Sequence, residues 1–84
     1  MKINDDNYKV FHHVISEWHM CNVITKEDRV IFTSNGVTCT IHENGRVAVS
    51  IGCRSAELSY DEFLSTTIGI TTGYLKYLEE KDLE

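Results

Sequence analysis

Two Asn-Gly dipeptides, Asn35-Gly36 and Asn44-Gly45, separate three runs in which apolar residues recur at every second position. Val30 and Phe32 make the first run, Val37, Cys39 and Ile41 the second, and Val47, Val49, Ile51 and Cys53 the third. Period-two alternation puts alternate side chains on opposite faces of a strand, and Asn-Gly supplies the left-handed backbone of a tight hairpin. A two-residue turn at Asn35-Gly36 pairs Ser34 with Val37, Phe32 with Cys39 and Val30 with Ile41, so the apolar partners share a face. The same turn at Asn44-Gly45 would pair Thr40 with Val49 and send the third run's apolar set to the wrong side. A three-residue loop, Glu43-Asn44-Gly45, instead pairs Ile41 with Val47 and Cys39 with Val49. The spacing therefore predicts a type I turn closed by Gly45 in a left-handed bulge. The two Asn-Gly turns should differ.

Helical periodicity flanks the strands. Over residues 8–21, Val10, Phe11, Val14, Ile15, Trp18 and Cys21 occupy one arc of a wheel, opposite Lys9, His12, His13, Ser16, Glu17 and His19. Asp5, Asp6 and Asn7, just upstream, are residue types that cap a helix N-terminus. A second helix is predicted over residues 60–80, opened by the capping box Ser59-x-x-Glu62, with Leu58 placed to staple onto Phe63. Tyr60, Phe63, Leu64, Thr67, Ile68, Ile70, Thr71, Tyr74, Leu75, Tyr77 and Leu78 fill its inner half. Gly69 and Gly73 are the positions where it would break.

The expected fold is a single α+β domain over residues 1–84: two layers in the order α-β-β-β-α, a three-stranded antiparallel meander with two helices packed on one face. Its core should contain Trp18, Phe32, Cys39, Ile41, Val49, Phe63, Leu64, Ile68 and Leu75. The other face, with Thr33, Thr38, Thr40, Ala48 and Ser50, should be solvated.

Composition narrows the function classes. The chain is 42% hydrophobic and 25% charged, as ordinary globular domains are. No apolar run approaches the roughly 18 residues of a membrane span. The polar N-terminus does not read as a secretion signal, and three widely spaced cysteines (Cys21, Cys39, Cys53) read as reduced thiols in a cytoplasmic protein. The net charge is −5, and residues 55–84 hold all of it: two lysines against seven carboxylates. That disfavours direct binding to nucleic-acid phosphates. Double-stranded-RNA-binding domains share the α-β-β-β-α order, but they grip phosphate with lysines where this chain has Ser59-Tyr60-Asp61-Glu62.

No residue pattern marks catalysis or a cofactor. Triad spacings, Walker A and G-x-G-x-x-G are missing, and Asp61 and Glu62 diverge by about 100° on a helix. His12, His13, His19, Glu17 and Cys21 crowd the first helix, yet no zinc-type spacing organises them, so no metal is expected. The partner-binding candidates are Asp61, Glu62, Ser65, Gly69, Thr72, Gly73, Lys76, Glu79 and Glu80, the outer half of the second helix. Its glycines sit beside Ser65, Thr66 and Thr72 where core packing does not require small residues. Glu79, Glu80, Asp82 and Glu84 sit where the helix dipole disfavours acids.

The reading is a small acidic, non-enzymatic interaction protein that inhibits a partner with a basic, nucleic-acid-handling surface. In size and charge the chain resembles small phage-encoded inhibitors of host nucleases and polymerases, anti-CRISPR proteins among them. The alternative is a homodimeric structural or regulatory subunit. A metal-binding module built on the histidines comes third.

Overall fold

A computed structural model describes residues 1–82. Helix α1 (Asp5–Glu17) leads into five strands: β1 (Asn22–Thr25), β2 (Arg29–Ser34), β3 (Val37–His42), β4 (Arg46–Ile51) and β5 (Arg54–Ser59). Two helices follow, α2 (Tyr60–Leu64) and α3 (Ile68–Asp82). The strands form one antiparallel sheet, in the same order as in the chain.

The architecture is α+β, but the sheet has five strands and not the expected three. The middle three have the expected register: Phe32 opposite Cys39, Val30 opposite Ile41, Ile41 opposite Val47 and Cys39 opposite Val49. The Asn-Gly turns differ as the pairing requires. Asn35 and Gly36 both have positive φ (51° and 80°), the two-residue type I′ pattern. At the second turn only Gly45 does, at 92°, closing a three-residue loop.

Each outer strand escaped the alternation rule for a physical reason. All four residues of β1 are exposed, so no buried face imposes a period on Asn22-Val23-Ile24-Thr25. β5 was hidden because the third run does not continue to Cys53. The chain reverses at Gly52-Cys53, with Gly52 at φ 58°, and Ile51 pairs with Arg54. A glycine in the first position of a two-residue turn is the type II′ signature. Cys53 consequently lies exposed in a turn, not among the buried side chains.

One buried cluster joins the sheet to all three helices. Val30, Phe32, Cys39, Ile41, Val47 and Val49 meet Val10 and Val14 of α1, Phe63 of α2, and Ile68 and Leu75 of α3. Trp18 and Leu64, expected in the core, are only half-buried and pack at its margin. Helix α1 starts earlier than the apolar arc suggested. Its N-cap is Asn4, whose side chain accepts from the Asn7 N–H at 3.0 Å while the Asn7 side chain accepts from the Asn4 N–H at 2.7 Å. The buried Asn7 amide also donates to the Lys2 carbonyl, so no buried polar group is orphaned there.

The expected second helix is two helices, and the break falls at Ser65–Thr67, ahead of both glycines. Three hydroxyls favour it. Ser65 and Thr66 donate back to the Glu62 and Phe63 carbonyls, at 2.8 and 3.3 Å. Thr67 Oγ1 accepts from the Ile70 N–H at 3.1 Å, as an N-cap for a new helix does. The predicted capping box at the start of α2 is present, Ser59 and Glu62 bonding each other reciprocally.

Candidate interaction surface

Helix α3 lies across β4 and β5 with Ile68, Thr71 and Leu75 buried beneath it. Its first N–H group is held from a distance of 51 residues. Glu17, at the end of α1, accepts from the Ile68 N–H with both carboxylate oxygens, at 3.0 and 3.1 Å. His13 lies one helical turn back from Glu17. Its Nε2 is 2.8 Å from the Thr66 carbonyl and 3.3 Å from Glu17 Oε2, so an Nε2–H tautomer serves both. The His13 ring meets the Phe63 ring edge-on, centroids 5.1 Å apart. A carboxylate at a helix N-terminus satisfies orphan donors and the dipole together. This node fixes where α3 begins.

The far end is fixed as well. Arg54 Nη2 donates to the Leu78 carbonyl at 3.5 Å. The Glu79 carboxylate lies over the β4–β5 turn, with Oε1 3.2 Å from the place a side chain on Gly52 would start. With both ends held, the rotation of α3 about its axis is set, and so is the face it shows to solvent.

That face corrects the sequence reading. Ile70, Tyr74 and Tyr77, expected on the inner half, are 66%, 60% and 57% exposed. They stand at i, i+4 and i+7 and form one apolar stripe along the outside of the helix. The Lys81 ammonium closes its C-terminal end, 5.9 Å from the centre of the Tyr77 ring. A single helix running from Tyr60 would have turned these residues inward with Phe63. The break at Ser65–Thr67 shifts the helical phase, so Ile68, Thr71 and Leu75 of the expected inner half stay buried while Ile70, Tyr74 and Tyr77 turn outward.

The nine candidate residues do not form one strip. Gly69, Gly73, Lys76 and Glu80 are exposed on α3 and flank the apolar stripe. Thr72 and Glu79 are half-buried, and Thr72 donates its hydroxyl to the Gly69 carbonyl. Ser65 belongs to the joint between the helices. Asp61 and Glu62 are exposed on α2, where the Ser59 N–H and hydroxyl hold the Glu62 carboxyl below its ordinary value. Glu84, counted in the acidic tail, lies outside the described residues. Alternation and periodicity had no way to show the Ile70, Tyr74 and Tyr77 stripe as exposed; the hydroxyl run Ser65-Thr66-Thr67 was the one available sign of the phase reset.

The other reactive groups are dispersed. His12 and His19 are exposed, and His13 is committed to the node. Among the described residues no three His, Cys, Asp or Glu side chains gather as a metal set. Burial pushes the Cys39 thiol up to about 12, with the Glu17 charge adding to the shift, so it packs as a small hydrophobe. Among the described residues no helix is long and apolar enough to cross a membrane. The chain matches no protein-family model, no curated protein and no solved structure.

Proposed function

We propose that this chain is a non-catalytic interaction domain that binds a protein partner with a basic surface through the outer face of α3. The observation that carries it is the Ile70, Tyr74 and Tyr77 stripe on a helix already anchored to its own sheet. Soluble domains seldom leave contiguous aromatic surface uncovered without using it, and tyrosine contributes disproportionately to protein interfaces. Burying three such side chains supplies the apolar centre, and Gly69 and Gly73 lower the surface beside it enough for a partner's backbone to approach. A net charge of −5, with Glu80 exposed on the same helix, favours basic partners and speeds their approach. Occupying a basic groove in this way would block a nucleic-acid-handling protein without any chemistry by the domain itself.

The test compares the wild-type chain with Tyr74→Ala/Tyr77→Ala as bait in extracts of the source cell. A partner retained by the wild type should lose at least tenfold in affinity with the double variant, which corresponds to about 1.4 kcal/mol. Added salt should slow its association more than its release. Equal retention of every bound protein by both baits would overturn the reading.

A further inference from the structure

We propose that β1 is a self-association edge: two copies of this chain join antiparallel along Asn22–Thr25, making one continuous ten-stranded sheet. The inference rests on the sheet edge and is independent of the reading of α3.

The hydrogen-bond parity of the sheet shows which groups β1 leaves open. In an antiparallel ladder alternate residues bond the same neighbour. The Lys26 N–H donates to the Arg29 carbonyl at 2.8 Å, and β1 pairs with β2 in that same register, so Ile24 bonds with Ile31 and Asn22 with Thr33. The β2–β3 side agrees. The Asn35-Gly36 turn pairs Ser34 with Val37, which directs Val30, Phe32 and Ser34 toward β3 and leaves Ile31 and Thr33 for β1. Val23 and Thr25 therefore aim their N–H and C=O groups outward, at the end of the strand order, where among the described residues no further strand follows.

These open groups are complementary to themselves. In an antiparallel pair centred on Ile24, Val23 of one copy faces Thr25 of the other, and Thr25 faces Val23. All four residues have outward-directed groups, giving four main-chain hydrogen bonds. Ile24 meets its own copy across the two-fold axis as a non-hydrogen-bonded pair, where Cα atoms approach to about 4.5 Å. Ile24 lies beside Ile31 on the outer face of the sheet, so the row reads Ile31, Ile24, Ile24, Ile31 across the junction. A two-fold interface requires this kind of self-match.

The edge also lacks the usual safeguards. Natural edge strands carry charges, prolines or bulges that discourage pairing. Asn22–Thr25 has none of these, and Val23 and Ile24 are 53% and 49% exposed, beside Met20 at 88%. The opposite edge, β5, carries Arg54 and Glu57 and is packed by α3. Electrostatics favours the same side. Two copies of net charge −5 repel, yet residues 18–25 contain no carboxylate. A four-residue edge with three apolar flanks falls at the small end of specific interfaces, so the dimer should be weak and concentration-dependent. Because α3 lies over β4 and β5, both α3 outer faces remain free at the two ends of the joined sheet. The dimer would be bivalent.

The test is sedimentation of the full chain over a concentration series reaching the millimolar range, with amide hydrogen exchange read at both ends of the series. The wild-type mass should double, and the Val23 and Thr25 amides should pass from fast exchange to protected. Thr25→Pro removes an outward N–H without taking a bond from the β1–β2 ladder, so it should hold the chain at monomer mass with unchanged circular dichroism. Ile24→Lys, which places two ammonium groups across the axis, should do the same and serves if the proline variant misfolds. Tyr74→Ala/Tyr77→Ala should dimerise like the wild type. A wild type that stays monomeric throughout, an Ile24→Lys variant that dimerises normally, or a dimer abolished by the α3 pair would each overturn the proposal.

Discussion

Glu62 is fully solvated, yet its carboxyl is held below the ordinary carboxylate range, first by the Ser59 backbone N–H and then by the Ser59 hydroxyl. A depressed folded-state value has a definite sign. The carboxylate form is favoured by folding, so its contribution is present above the unfolded value and is lost as pH falls through the folded one. Glu62→Gln keeps a side chain suited to a capping box but cannot titrate. The variant should therefore show a flatter loss of stability on the acid side than the wild type, with the two curves parallel at neutral pH. Urea midpoints measured from neutral pH down into the acid range check this; identical acid limbs would refute it. Cys39 illustrates the opposite case, a group whose burial keeps it neutral throughout that range.

Among the turns and helices, glycine has two opposite roles. Gly45 has φ 92° and open space where a side chain would start, so its requirement is conformational alone. The turn it closes also anchors α2. The Tyr60 N–H donates to the Gly45 carbonyl at 3.1 Å, and the Tyr60 hydroxyl donates to the His42 carbonyl. Gly45→Ala should cost about 1–2 kcal/mol, the left-handed penalty of an L-residue. Gly73 has the same open space but lies inside α3 without a positive φ, so Gly73→Ala should stabilise by about 0.5–1 kcal/mol. Denaturant midpoints should shift in opposite directions. These elements also show what could be read from the chain beforehand. The register of β2, β3 and β4 was legible because one face is buried and a slip would turn every apolar side chain outward. β1 was not, since exposure on both faces removes the constraint that writes a pattern. The candidate surface was half legible. Gly69, Gly73, Lys76 and Glu80 were placed on the outside correctly, but the apolar stripe beside them was assigned to the helix's inner half, because three consecutive hydroxyl residues interrupted a wheel treated as continuous.

Across the whole molecule, tertiary order is spread unevenly along the chain. Each strand pairs with the one that follows it, through connections of two or three residues, so the sheet is assembled from neighbours. The Glu17–Ile68 bond is of another kind, joining groups 51 residues apart. Closing a long segment carries an entropic cost that short hairpins avoid, and contacts between distant segments form late unless they belong to the nucleus. The meander should therefore be largely formed in the folding transition state, and the docking of α3 onto the end of α1 should not. Glu17→Gln then provides a kinetic test. If it destabilises by about 1 kcal/mol, almost all of that should appear as unfolding about fivefold faster, with refolding nearly unchanged. Stopped-flow traces with Trp18 as reporter would show this in the two limbs of the denaturant plot; slower refolding would place the clamp in the nucleus instead. Chain order that matches sheet order thus has a consequence in time. The helix that follows the sheet in the described chain is also the last to find its place, and the first whose release opens the core.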